Sequence, residues 1–236
     1  MSLSDSDDML VVHNVSKQFE IHERNVRRRV LENLTFSVRR GECVALDGPS
    51  GVGKSTLMRM IYGSYRTAFG QINVRTPHGY VDVASADPWT LIELRRSTLG
   101  YVSQFLRVLP RISALDIVAG PLLDRGVESA PARREAGAML ERLGVESSLW
   151  DLSPLTFSGG EQQRVNIART FTSGYSVLLL DEPTASLDAR NRELVLSVIR
   201  EAMENGSAIV GIFHDRLAAD AIVTRRVALT KVRHAS

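Results

Sequence analysis

The chain has 236 residues, of which 44% are apolar and 24% are charged, the composition of an ordinary globular protein. Its 29 basic and 27 acidic residues leave a formal charge of +2, so the charge balance gives no case for a nucleic-acid surface. The single cysteine, Cys43, excludes an internal disulfide and reads as a small buried hydrophobe. No apolar run reaches the ~18 residues of a membrane helix. We therefore expect a cytoplasmic protein with a disordered acidic tail at 1–8.

The first part of the chain predicts β-strands on either side of a polar stretch. Apolar residues favour strands at 10–15 and 34–38. The basic stretch at 22–29 predicts an exposed hairpin or loop, and its arginines could also contact a triphosphate. Phe19 is a candidate for stacking on adenine, because an aromatic face suits any purine. The alternative is a core phenylalanine in a β layer.

A glycine-rich loop then follows a predicted buried strand at 43–46 and precedes a predicted helix at 57–62. This order of strand, loop and helix is typical of a P-loop. Its glycines allow backbone N–H groups to converge on phosphate, at the positive end of the following helix. Lys54 should contact the β- and γ-phosphates, and Ser55 should bind Mg²⁺. The residues of the loop are Gly48, Pro49, Ser50, Gly51, Val52, Gly53, Lys54, Ser55 and Thr56.

The middle of the chain changes from strands to helices. Residues 71–74 and 80–83 predict a hairpin, which implies an antiparallel β layer. A short helix at 91–96 precedes a strand at 99–103 that ends beside Gln104, where an amide could bind Mg²⁺ or the attacking water. Apolar spacing near three and four predicts helices at 112–118 and 132–143. We expect a helical subdomain at about 105–170 inside a single domain at 9–236.

Two glycines open the next predicted helix. Ser158 and Glu161 have the spacing of a capping box, which is a purely structural interpretation. Gly159 and Gly160 in the first turn each lower helix stability by about 1 kcal/mol relative to alanine. Glycines there suit a backbone that approaches another group closely, and the helix dipole favours a phosphate.

Acidic residues and a histidine follow two further buried strands. The aliphatic run at 177–180 predicts a strand covered on both faces, and it ends at Asp181 and Glu182. We expect Asp181 to hold Mg²⁺ and Glu182 to polarise the attacking water. A turn containing Asp188 leads to a helix at about 189–204. A last strand at 208–213 brings His214 to the same edge, where it could contact γ-phosphate.

Together these motifs resemble the nucleotide-binding domain of ABC-type ATPases over residues 9–225. The resemblance implies an α/β P-loop fold with a mixed sheet core, an antiparallel β subdomain and a helical subdomain. It implies Walker A at 48–56, a Q-loop at Gln104, a signature at 158–162, Walker B at Asp181, a D-loop at Asp188 and a switch histidine at His214. Phe157 and Glu161 stand where the family usually has leucine and glutamine.

The same resemblance implies a site shared by two copies of the chain. Lys54, Glu182 and His214 would be catalytic, and Ser55, Gln104 and Asp181 would hold the metal. Ser158 and Gly160 of a second copy would close the site from the other side, and Gly159, Glu161 and Asp188 are further expected nucleotide-binding residues. We therefore expect a homodimer that closes on two Mg-ATP molecules.

Three function classes follow from this resemblance. Residues 102–115, 156–169 and 209–215 are similar to the PhnL family of the bacterial carbon–phosphorus lyase system. That similarity implies work with PhnG, PhnH and PhnI in moving the ribose triphosphate of ATP onto a phosphonate. The second class is the ATPase subunit of a membrane ABC importer, in which Phe105, Leu106 and Leu109 could line a groove for a membrane partner. The third is a nucleotide-gated scaffold with negligible turnover.

Overall fold

A computed structural model describes residues 7–21, 26–106, 110–215 and 219–232. Nine strands and six α-helices are described. The strands are β1 Asp8–Ile21, β2 Val26–Arg39, β3 Cys43–Asp47, β4 Phe69–Thr76, β5 Gly79–Asp82, β6 Leu99–Val102, β7 Val177–Asp181, β8 Ala208–Ile212 and β9 Arg225–Ala228. The helices are α1 Lys54–Ile61, α2 Pro88–Ser97, α3 Ala114–Asp124, α4 Ser129–Arg142, α5 Gly159–Phe171 and α6 Ala189–Glu204.

The first sheet is antiparallel, with the strand order β2-β1-β4-β5. It confirms the predicted hairpin, but β1 and β2 are both longer than expected. Phe19 pairs with Arg28 and Gln18 with Arg29, so these arginines lie in an edge strand that forms an antiparallel hairpin with β1. Of the two alternatives predicted for this stretch, hairpin or loop, the structure has the hairpin. Strand pairing satisfies the backbone groups of these arginines, and charged side chains are common on edge strands. Residues 22–25 lie outside the described part.

The second sheet is parallel, with the order β6-β7-β8-β3-β9. All five residues of β7 are buried, as the aliphatic run predicts. Parallel strands place their carboxyl ends at one edge of the sheet, where α/β proteins bind ligands. The loop after β3, Gln104 after β6, Glu182 after β7 and His214 after β8 therefore meet at that edge.

Helices cover the parallel sheet and complete the core. The helix α6 has the predicted bounds, and Asp188 caps it by accepting a hydrogen bond from Asn191 N–H. Ser113 caps α3 in the same way from Asp116 N–H, so this helix begins two residues later than predicted. α3 packs on α4, and both pack on α5. The subdomain at about 105–170 and the domain bounds stay predictions.

The interior contains Cys43, as its apolar neighbours predict. Its side chain is 0% exposed, and burial raises the pKa of the thiol to about 12, so it remains protonated. Within the described ranges, no helix combines the length and apolar character needed to cross a bilayer.

Candidate functional site

A glycine-rich loop joins β3 to α1 and passes close to two neighbouring segments. Gly48 and Gly53 have φ angles of 146° and 111°, which favour glycine. A Cβ at Gly48 would lie 2.6 Å from the carbonyl oxygen of Leu229, and one at Gly53 would lie 2.8 Å from the Val30 side chain. Glycine at both positions therefore lets the chain deliver the start of α1 to this edge of the sheet.

The N-terminus of α1 has no side-chain cap. Its N-cap residue is Gly53, and its first turn contains no acidic residue. The N–H groups of that turn are therefore free of a side-chain cap and can bind an anion, which the positive end of the helix dipole also favours. Lys54 Nζ lies at the same end, where it donates to the carbonyl oxygens of Gly48 at 2.6 Å and Pro49 at 3.2 Å. This helix end has the donors that phosphate groups require.

A cavity of about 520 Å³ opens beside this helix end. Its lining contains Ser50, Gly51, Gly53, Lys54, Ser55 and Thr56 from the loop, together with Phe19, Arg28, Val30, Glu182, Ile212 and His214. Of the other predicted loop residues, Val52 is 3% exposed and packs in the core, whereas Gly48 and Pro49 are exposed and do not line the cavity. The cavity is large enough for a small-molecule ligand.

Glu182 contacts two other predicted site residues. His214 Nε2 lies 2.7 Å from Glu182 Oε1, and Gln104 Nε2 donates to Glu182 Oε2 at 3.4 Å. Glu182 has a φ of 54°, a left-handed conformation that is strained for a residue with a side chain. Its N–H donates to the Ile212 carbonyl oxygen at 3.0 Å. Because β7 lies between β6 and β8, Glu182 lies between Gln104 and His214.

Asp181 is the last residue of β7 and is only 6% exposed. Its Oδ2 accepts a hydrogen bond from the Tyr101 hydroxyl at 3.2 Å, and Ser55 is a second hydrogen-bond partner. Burial raises the pKa of Asp181 above its ordinary value, although the bonds from Tyr101 and Ser55 act in the opposite direction. Burial and the Asp181 charge also raise the pKa of Tyr101, so the phenol remains a donor.

The oxygen donors around Asp181 fit Mg²⁺. Ser55, Gln104 and Asp181 line a second cavity of about 570 Å³, next to the loop. Within the described residues, no group of three or more His, Cys, Asp or Glu could hold a metal ion. Mg²⁺ in nucleotide sites does not need such a group, because it binds one or two protein oxygens together with phosphates and water. A hydroxyl beside one carboxylate is therefore a suitable donor set for Mg-nucleotide.

Phe19 has features of both interpretations that the sequence allows. It lies on β1, lines the cavity beside the loop and is half-buried. Its ring centroid lies 5.6 Å from that of Tyr65 in an edge-to-face arrangement, and Lys17 Nζ lies 4.8 Å from its centroid. These contacts fix the ring at the cavity wall, and adenine stacking stays a prediction.

The start of α5 has the capping box that the sequence predicts. Glu161 Oε2 accepts hydrogen bonds from Ser158 N at 2.8 Å and Ser158 Oγ at 2.7 Å, and Ser158 Oγ accepts from Glu161 N at 3.4 Å. The bonds from Ser158 lower the pKa of Glu161 below its ordinary value. Among the described residues that line the P-loop cavity, none comes from 158–161. One chain thus does not bring this helix end to Lys54 and His214.

The start of α6 is linked to the loop that carries His214. Asp188 Oδ1 accepts from Asn191 N at 2.8 Å, and this bond lowers the pKa of Asp188. One turn further, Arg192 Nη1 lies 2.8 Å from Asp215 Oδ2 in a half-buried ion pair. Asp188 does not line the P-loop cavity, so one chain does not bring it to the predicted nucleotide site, and its nucleotide contact stays a prediction.

Sequence reasoning missed Tyr101 and Arg59, which contact the predicted metal site. Both line the cavity that contains Asp181. The signal in the sequence was weak: Tyr101 is a polar-tipped aromatic residue on β6, three positions before Gln104. Its contact with Asp181 becomes visible only when β6 and β7 are known to be neighbours.

A family model described as "ABC transporter" matches residues 31–185. The lipoprotein-releasing system ATP-binding protein LolD of Shewanella sp. (strain MR-4) is 38% identical over 215 residues, covering 90% of this chain and 90% of LolD. The chain belongs to the ABC transporter family. This membership and the likeness to solved cassettes below confirm the predicted ABC-type fold.

Two further similarities bear on assembly. The ABC protein MacB of Salmonella typhimurium, named a macrolide export ATP-binding/permease protein, is 35% identical over 218 residues. This chain spans 32% of the length of MacB. The solved ATP-binding cassette MJ0796, described as a dimer bound to ADP and Pi, matches with a TM-score of 0.86 and 28% identity, covering 94% of both chains.

Proposed function

We propose that this chain is the Mg-ATP-hydrolysing subunit of a membrane ABC transporter. The observation that carries the proposal is the convergence of Lys54 and Ser55 with Asp181, Glu182 and His214 at one edge of the parallel sheet. The names of LolD and MacB, which refer to release of lipoproteins and export of macrolides, support a transport role.

Each residue of the site has a chemical role that its geometry supports. Lys54 and the N–H groups of α1 bind the β- and γ-phosphates. Ser55, Asp181 and Gln104 hold Mg²⁺, which neutralises phosphate charge when bound. Glu182 accepts a proton from the attacking water. His214, 2.7 Å from Glu182, orients that carboxylate and contacts the γ-phosphate.

The proposed active form is a two-fold homodimer with two nucleotides in its interface. Within one chain, the P-loop cavity lacks any lining from Ser158 to Glu161 among the described residues. A second copy would supply Ser158, Gly159 and Gly160 from the N-terminus of α5, and Asp188 from the start of α6. Solved cassettes with the same fold, at 28% and 27% identity, are described as dimeric, which supports this arrangement.

The transport role requires a membrane-spanning partner or domain. Phe105 follows β6 and is 73% exposed, so it can contribute to the predicted docking groove, whereas Leu106 packs against the core. Leu109 lies outside the described residues. The membrane-transport class expected from the sequence was an importer, but the relatives are named for export and release, so we propose transport without a direction.

The second candidate is a subunit of the carbon–phosphorus lyase machinery acting with PhnG, PhnH and PhnI. It rests on the similarity of 102–115, 156–169 and 209–215 to the PhnL family. Part of the first segment, 107–109, lies outside the described residues. The relatives reported above have transporter names, and they favour the transport proposal.

Isolation of the chain with its partners separates the two candidates. Tagged Glu182→Gln protein is purified from native membranes in detergent with Mg-ATP, and the bound chains are identified by mass spectrometry. We expect a multi-spanning permease, and stimulation of the parent chain's ATPase by that permease in vesicles. PhnG, PhnH and PhnI homologues instead, with adenine release that depends on Lys54, would favour the lyase role. Partners without detectable turnover would favour the nucleotide-gated scaffold.

A further inference from the structure

A tyrosine on the strand next to β7 is bonded to the predicted metal-binding carboxylate. In the parallel pair of β6 and β7, Tyr101 lies opposite Leu179, two residues before Asp181. The phenol spans this offset, and its hydroxyl donates to Asp181 Oδ2 at 3.2 Å. A carboxylate that is 6% exposed needs donors, because a buried charge without them is strongly unfavourable.

The tyrosine is itself held by the helix that carries the phosphate-binding residues. The Arg59 guanidinium, near the end of α1, donates to Tyr65 Oη at 2.9 Å and is hydrogen-bonded to Tyr101. The ring of Tyr62, the C-cap residue of α1, lies 5.1 Å from the Tyr101 ring, centroid to centroid. These contacts form a continuous path from α1 through Arg59 and Tyr101 to Asp181.

We propose that Tyr101 is a positioning residue for the metal of Mg-ATP, acting by fixing the orientation of the Asp181 carboxylate. This inference rests on the proposed Mg-ATP function. Ser55, which also bonds to Asp181, is itself a proposed metal ligand, so its hydroxyl is needed elsewhere when metal is bound. Tyr101 has no such second task and can keep the carboxylate in one orientation. Groups that orient a ligand commonly determine the affinity of the metal site.

The test measures the gain in ATP affinity that Mg²⁺ provides. Calorimetry gives the ATP dissociation constant in Mg²⁺ and in EDTA for the parent chain, for Tyr101→Phe and for a control, Tyr80→Phe. We expect Tyr101→Phe to bind ATP in EDTA within about twofold of the parent. The Mg²⁺-dependent gain in affinity should fall about fivefold to tenfold, the effect of losing one hydrogen bond of ordinary strength.

Tyr80→Phe is a matched control because it removes one tyrosine hydroxyl in the antiparallel sheet. That hydroxyl donates to the Asp8 carbonyl oxygen at 2.6 Å, and Tyr80 lines neither cavity of the site. The control should match the parent in both Mg²⁺ and EDTA. A second variant, Arg59→Lys, keeps the positive charge beside Asp181 and the phenol but removes the guanidinium contacts to Tyr65 and Tyr101, so we expect the same Mg²⁺-specific loss at about twofold to threefold.

Three outcomes are distinguishable. An unchanged Mg²⁺ gain in Tyr101→Phe overturns the positioning role while leaving the ATPase proposal intact. A parent chain that binds no ATP in either buffer overturns both. If Tyr101→Phe fails to fold, the charge-conserving Arg59→Lys decides: a Mg²⁺-specific loss supports the role, and equal losses with and without metal, or no loss, overturn it.

Discussion

The N-termini of α1 and α5 were both predicted to bind phosphate, but the chain builds them in opposite ways. Helix α1 begins at Gly53 in a left-handed conformation, without a side-chain cap and without an acidic residue in its first turn. Helix α5 begins at Ser158 with a complete capping box that includes Glu161. The first end offers its N–H groups to a ligand, whereas the second is already stabilised by its own residues.

The two signature glycines also differ from one another. A Cβ at Gly160 would lie 3.2 Å from the Ser186 carbonyl oxygen, so packing within the chain partly accounts for this glycine. At Gly159, a Cβ would meet nothing within 4 Å. The chain itself therefore gives no packing reason for Gly159, and close approach by a second copy is the explanation that we favour. In the arrangement that we propose, the start of α1 binds nucleotide within one chain, and the start of α5 completes the site of a second copy.

The largest effect should come from Glu182→Gln, which separates binding from hydrolysis. Loss of a general base lowers the rate by about 10²–10⁴-fold. The amide still occupies the site, so ATP binding should persist and the closed dimer should accumulate. Steady-state ATPase and size-exclusion chromatography with Mg-ATP measure the two properties. A monomer at saturating nucleotide, or turnover equal to the parent's, would contradict the proposed role.

Replacement of Lys54 by alanine tests the proposed phosphate binding at the N-terminus of α1, which needs only one chain. The ammonium group lies among the loop carbonyls of Gly48 and Pro49, at the expected phosphate position. We expect ATP affinity to fall about tenfold to 100-fold, as for loss of a charged contact, and hydrolysis to fall at least as far. The effect should appear at protein concentrations too low for dimerisation. Normal affinity in that dilute sample argues against the assignment of α1.

Gly159→Ala tests the proposed place of the α5 N-terminus in the dimer interface. Stability and ATP-dependent dimerisation should change in opposite directions. Alanine has room here and favours the helix, so the free energy of unfolding should rise by up to about 1 kcal/mol. The added methyl group should nevertheless weaken the ATP-dependent dimer of the Glu182→Gln protein by about tenfold, with monomer ATP affinity unchanged.

Gly120→Ala is a suitable control for this substitution. Gly120 lies inside α3, and a methyl group added there would likewise meet nothing within 4 Å. Because Pro121 follows and disfavours a Cβ on the preceding helical residue, we expect little gain in stability. Dimerisation should be unchanged. Equal dimerisation of the two glycine variants would place Gly159 outside the interface.

Local sequence was sufficient to predict a structural element where a single segment of the chain forms that element by itself. The strand, loop and helix around Lys54 were predicted because glycines and an apolar strand adjoin in the chain. The bounds of α6 followed from the turn that contains Asp188 and from Asn205 and Gly206, which are typical of a helix end. In contrast, the extent of β2 depends on its pairing with β1, and the bond between Tyr101 and Asp181 depends on strand order. Neither has a signal within a few residues.

The smallest expected effects concern two carboxylates whose pKa values move in opposite directions. On the P-loop side, burial raises the pKa of Asp181. The folded chain then holds this proton more tightly than the unfolded chain, so stability declines as pH rises from the ordinary Asp pKa through the raised one. Without metal or nucleotide, Asp181→Asn should therefore raise the melting temperature by about 1–3 °C near pH 7 and by less near pH 4.

At the start of α5 the sign is reversed. Hydrogen bonds from Ser158 lower the pKa of Glu161, so the unfolded chain binds the proton more readily and stability is lost as pH falls through the lowered value. Glutamine can keep one capping bond but not the charge. Glu161→Gln should thus lower the melting temperature by about 1–3 °C near pH 7, and the difference should shrink in acid. Differential scanning calorimetry in EDTA measures both variants. Shifts of the melting temperature with the same sign would mean that Asp181 and Glu161 experience the same electrostatic environment. That result would contradict the contrast between the P-loop side and the start of α5.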